Sequence, residues 1–175
     1  HYLRKEALRD LTIFIGDSYS ANELYSFFKK ITEGEELGTA MIDLAKLYES
    51  HSRHKDLNIF LTEFISKQED SSHVVNAHLM LIDANEALRS RDQVVKHLQI
   101  ASDLCKTGSA WRLKQSENTL NESCIKEFRH TSLEIASKWW DIWLKNKQHV
   151  AFSELTEKAF RVILDNEEAD KPDLK

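Results

Sequence analysis

Trp139, Trp140 and Trp143 crowd into five residues, and no other part of the chain is as well equipped for specific chemistry. That chemistry is non-covalent recognition. An indole offers a large rigid apolar face and one N–H donor, which makes tryptophan a frequent anchor in interfaces. At helical spacing Trp139 and Trp143 share a face, and Trp140 pairs with Leu144 on the adjacent one. Two readings stay open: an aromatic anchor for a partner, or indoles filling the core of a helix sandwiched between neighbours. Alanine at 139 and 143 separates them. An anchor loses binding with the fold intact, whereas a core loses helicity.

Other reactive residue types form no constellation. His51 and His54 straddle a turn, and His73 and His78 follow without a cysteine or carboxylate cluster at ligand spacing, so no metal site is expected. The C-terminal helix dipole is the plainer role for His51. Cys105 and Cys124 sit in no CxxC. We read them as free thiols of a reducing compartment, with a disulfide across antiparallel helices as the alternative. Asp43 and Asp83 flank apolar stripes but read as solvated edges, not as general acids or bases. Four scattered glycines cannot build a phosphate loop, and no Gly-x-Ser-x-Gly elbow occurs. No enzyme is expected, and no catalytic residue, cofactor or metal is assigned.

The elements that position these residues are helices. The only proline, Pro172, is the fourth residue from the end, so nothing before it breaks a helix by lacking an N–H. The periodicity predicts helices over 2–15, 20–31, 35–51, 55–67, 72–88 and 90–105, then 111–129, 131–146 and 149–165. Gly16, Gly34, Gly38 and Gly108 punctuate the apolar stripes. Ser20–Glu23 and Ser90–Gln93 read as capping boxes. Leu37, Met41, Leu44, Ala45 and Tyr48 make one clean stripe, and Leu57, Phe60, Leu61 and Phe64 another. Near the end, Leu133, Ala136, Trp140 and Leu144 form the stronger stripe, with Ile135, Trp139, Ile142 and Trp143 beside it, after a break at His130–Ser132. The expected fold is all-α: about nine antiparallel helices in one domain, 1–165, with a frayed acidic tail at 166–175.

Composition narrows the function classes. The length supports a real core, and a net charge of −5 argues against a general nucleic-acid binder. No apolar run reaches the roughly 20 residues needed to cross a bilayer, and no signal-peptide h-region opens the chain. An intracellular, cytoplasmic chain is expected, with a nuclear one left open. His1 in place of an initiator methionine suggests a fragment of something longer, or a tag remnant.

Leu44, Ala45 and Tyr48, followed by Leu57, Leu61 and Phe64, resemble helix A and helix B of a tetratricopeptide repeat. About 37 residues on, Leu81, Ile82 and Asn85 with Val94, Leu98 and Ala101 occupy equivalent places, and Ala136 and Trp139 with Phe152, Leu155 and Ala159 follow later. The array departs from the family in lacking its repeat-ending prolines. The resemblance implies a right-handed solenoid of helix hairpins whose concave face binds a peptide or helix. It places Lys46 and Asn85 with Trp139, Trp140 and Trp143 as partner-binding candidates. The family's clamp for a C-terminal carboxylate is not visible, because Asp43, Glu49, Asp83 and Glu86 crowd those positions. The function expected is a non-catalytic scaffold or adaptor, on its own or as part of a larger assembly. The stretch 24–37, Tyr-x-x-Phe-Lys leading into Glu-Glu-Leu, loosely resembles the end of the DNA-binding region in TetR-type repressors. It keeps a second function class in view, a helical bundle that encloses a small regulatory ligand.

Overall fold

A computed structural model describes residues 7, 11, 14, 15 and 18–169, with side chains to 165. Every regular element among the described residues is helical, with no strand. They divide into two compact units, His1–Arg89 and Ser90–Lys175, within the span expected as one domain.

The first unit contains α1 (Ala21–Ile31), α2 (Gly34–Ser50), α3 (His54–Lys67) and α4 (Val74–Ala87). The capping box at Ser20 opens α1 as expected. The Glu23 carboxylate accepts the Ser20 backbone N–H at 3.0 Å and the Ser20 hydroxyl, and these bonds hold its pKa below the usual carboxylate value. Leu24 and Phe28 of α1, the α2 stripe and the α3 stripe are all buried in one core. Each helix packs on the next, and α1 on α3 and α2 on α4 as well. Tyr48 meets Phe60 edge-on with centroids 5.2 Å apart. Helix α2 ends in a Schellman turn, with Arg53 N–H donating to Tyr48 O and Ser52 N–H to Glu49 O. Ser52 takes the left-handed φ of 56° that such turns usually give to glycine. The Arg53 guanidinium lies 4.1 Å from the Tyr48 ring centroid and its Nε donates to Asp56 at 2.9 Å, which fixes the chain as it enters α3.

Gly38 does not punctuate a stripe. It lies inside α2, buried, where the His73 ring sits on it. A Cβ there would stand 2.3 Å from His73 Cδ2. His73 is held in place by Glu35 Oε1, 2.9 Å from its Nε2. Gly38→Ala should therefore lower stability by about 1–3 kcal/mol despite alanine's better helix propensity. Urea unfolding of the single variant and of Gly38→Ala combined with His73→Ala checks this, since the second change should recover most of the loss.

The second unit contains α5 (Arg91–Cys105), a 3₁₀ turn (Arg112–Lys114), a long helical run and α6 (Val150–Ala169). The run begins at Glu117, where the Ser116 hydroxyl accepts the Thr119 N–H at 3.2 Å. It passes through a π-helical segment, Asn121–Phe128, and continues as α7, Arg129–Lys145. Helix α6 packs against both α5 and α7.

Several expectations change here. No break occurs at His130–Ser132: the backbone stays helical, and the Ser132 hydroxyl donates back to Phe128 O at 2.6 Å. Thr131 and Ser132 are poor helix formers, but packing outweighs propensity. Ser90 makes no side-chain cap bond, so the second capping box does not form. Cys105 and Cys124 are joined by a disulfide, which replaces the free-thiol reading. Among the described residues there are seven helices of 11 residues or more, against about nine expected along the whole chain. The helix expected at 2–15 and the stop at Gly16 lie largely outside the described residues, though Ile15 is buried in the first core. The backbone of α6 runs helically through Ala169, four residues into the expected tail, and 170–175 lie outside the described residues.

His97 on α5 gives the second unit a pH response. Burial first, and then the charge of Lys96, lower its pKa from 6.5 to about 4. The folded state thus favours the neutral ring. Its contribution is complete above about pH 6.5 and is lost as pH falls through that value towards 4. Because the ring is partly exposed, the loss should be about 1–2 kcal/mol, below the full linkage value. Urea midpoints of wild type and His97→Gln at pH 7 and pH 4 check it: the variant should lose less stability on acidification.

Candidate partner-binding face

The phase of the long helix decides which of its side chains can meet a partner. Cys124 is tied to Cys105, the last residue of α5, with Cα atoms 5.5 Å apart. Arg112 Nη1 donates to Cys105 O, closing the same helix end. Ser123, Cys124 and Phe128 are buried within the π-helical segment. From Phe128 the buried positions continue at 132, 135, 136 and 139. This is ordinary α spacing, so the inward face of α7 extends the face that carries the disulfide.

The consequence is a division of the tryptophan cluster. Trp139 is fully buried. Trp140 is 43% exposed and packs on half-buried Trp143, with centroids 4.9 Å apart and planes at 42°. Lys147 Nζ lies 5.9 Å from the Trp143 centroid. Trp139 and Trp143 therefore do not act as one face: one indole is core, and the other belongs with Trp140. The stripe read as the stronger apolar one is mostly outward. Leu133 and Leu144 are 41% and 45% exposed, and only Ala136 of that stripe is buried. At about 100° per residue, Leu133, Trp140 and Leu144 fall within roughly 40° of arc on the helix surface. The sequence shows their spacing and leaves core and interface open for the tryptophans; the structure puts Leu133, Trp140 and Leu144 outward.

The other two candidates lie in the first unit. Lys46 is exposed, 3.8 Å from Asp43. Asn85 is buried, and its amide donates to Asn58 Oδ1 at 2.9 Å and to Leu81 O at 2.7 Å. It bridges α4 to α3, which is a structural use of a polar group inside a core. Among the described residues, no three histidine, cysteine or acidic side chains gather where a metal could bind. His54 Nδ1 is buried without a hydrogen-bond partner, but it stands alone and no ligand set surrounds it. No described helix is long and apolar enough to cross a membrane.

A shallow open depression runs along α6, lined by Glu157, Phe160, Arg161, Leu164 and Asp165. It presents one helix surface and encloses nothing. Beside the N-terminus of α6, the Arg91 guanidinium sits 4.6 Å over the Phe152 ring, and its Nε is buried without a hydrogen-bond partner.

No family model, curated protein or solved structure matches this chain.

Proposed function

We propose that this chain is a non-catalytic interaction module that holds a helix or peptide of another protein. The observation that carries the reading is the exposed line Leu133, Trp140 and Leu144 with Trp143 at its edge, on a helix whose opposite face is fixed in the core. Aromatic anchors of this kind, with a polar rim, suit helix-in-groove recognition. The packing order of α1 to α4, each helix against the next and the next but one, favours a degenerate tetratricopeptide-like array over an unrelated bundle. Lys46 remains a surface position on such an array and Asn85 serves it from inside, while Trp139 is core of the second unit. A ligand-enclosing regulator would need a closed cavity, and the depression on α6 is an open one. The cytoplasmic expectation drew on the free-thiol reading together with the lack of a signal-peptide h-region. The Cys105–Cys124 disulfide favours an oxidising compartment instead.

The test is site-specific photo-crosslinking in extract from the source cells. A crosslinking side chain at position 140 should capture a discrete partner. The same group at Ile59, equally apolar and 45% exposed in the first unit, should not. Identical capture patterns from both positions would remove the proposal.

A further inference from the structure

Asn121 opens the π-helical segment and is exposed, as are Glu117, Asn118, Glu122 and Ile125 around it. Its side-chain amide forms no hydrogen bond to another described residue. Asn58 and Asn85 show the contrast, since their amides are bonded inside the first unit. The chain has eight asparagines, and only Asn121 is followed two residues later by serine or threonine, with Glu122 rather than proline between them. Asn121-Glu122-Ser123 is thus the one acceptor sequence for N-linked glycosylation in the chain.

Such a triplet matters only where the transferase and its sugar donor are present. Here the next residue is Cys124, whose bond to Cys105 favours an oxidising compartment. The lumen in which secreted chains form disulfides is also where asparagine is glycosylated. We propose that Asn121 carries an N-linked oligosaccharide, transferred from a polyprenyl diphosphate donor. The amide nitrogen of Asn121 bonds to the anomeric carbon of the sugar. The bond from that carbon to the diphosphate oxygen breaks, the diphosphate leaves with the electron pair, and the amide gives up one proton. No oxidant or reductant takes part. The Ser123 hydroxyl is the second element the transferase reads, and in the fold Ser123 is buried. Transfer therefore precedes the closing of this segment onto α5. Afterwards Asn121 stays outward and the sugar stands clear of the disulfide. The proposal rests on the oxidising-compartment reading and is independent of the docking face.

The test uses the full chain isolated from its source cells with free thiols blocked at lysis. An amidase that removes N-linked sugars should raise its mobility in a denaturing gel. The peptide spanning position 121 should then carry aspartate in place of Asn121. Asn121→Gln and Ser123→Ala, expressed in the same cells, should lack the glycan, and Ser123→Thr should keep it. Circular dichroism of the two glycan-free variants should match that of enzymatically deglycosylated wild type. An unmodified Asn121 in a chain whose cysteines are paired overturns the glycan and leaves the compartment reading standing. An unmodified Asn121 with Cys105 and Cys124 recovered as blocked thiols overturns both. A glycan that survives Asn121→Gln or Ser123→Ala overturns the assignment to this triplet.

Discussion

Trp139→Ala should destabilise the second unit by about 3–5 kcal/mol, the cost of emptying a fully enclosed indole site. That loss is comparable with the whole stability of many small domains, so the variant should be largely unfolded at moderate temperature. Trp140→Ala, one residue on, removes a side chain that is 43% exposed and should cost about 1 kcal/mol or less. Thermal and urea unfolding of the two variants, made side by side, check the contrast. Equal losses would mean that α7 faces the core differently from the way its buried residues indicate. The contrast also reshapes the double alanine experiment at 139 and 143: its loss of helicity would come from Trp139 and would say nothing about Trp143.

Removing the disulfide should have the next largest effect. The two cysteines are 19 residues apart, and closing a loop of that size restricts the unfolded chain by about 3 kcal/mol in the chain-entropy account. Cys105→Ser/Cys124→Ser should lose about that much. Reductant should lower the melting temperature of wild type and leave the double variant unchanged. Two thiols titrating in the unfolded, unreduced protein would contradict the bond. The bond also sits where the long helix takes its phase. It joins the end of α5 to the middle of the π-helical segment, upstream of every tryptophan in the cluster.

That position explains how far the sequence could be read. In the first unit, apolar spacing and packing agree. Leu37, Met41, Leu44 and Tyr48 recur at three and four residues, polar turns separate the helices, and the capping box at Ser20 forms. Gly38 was harder, because only the approach of His73 from 35 residues away reveals why a side chain is unwelcome there. Past Gly108 the local signals conflict. Thr131 and Ser132 suggest a break, and a break lets the two halves be phased independently. Leu133–Trp140–Leu144 then looks like the better core stripe. With the helix continuous, Phe128 fixes the phase and passes it through Ser132 and Ile135 to Trp139. Serine at a core position is what hides the pattern, since its hydroxyl is satisfied by Phe128 O and leaves no apolar mark in the sequence. The disulfide was legible only as one of two options, because a spacing of 19 residues fits a helix hairpin without requiring one.

On the proposed reading the cluster serves two purposes: Trp139 holds the fold, and the Trp140 face holds a partner. Calorimetric titration of the partner crosslinked through position 140, against wild type and against Leu133→Ser/Trp140→Ser/Leu144→Ser, tests it most directly. The account predicts that the triple variant keeps its helicity and loses affinity by about a hundredfold or more, as expected for truncating clustered interface anchors. Unchanged affinity in a folded triple variant would contradict it.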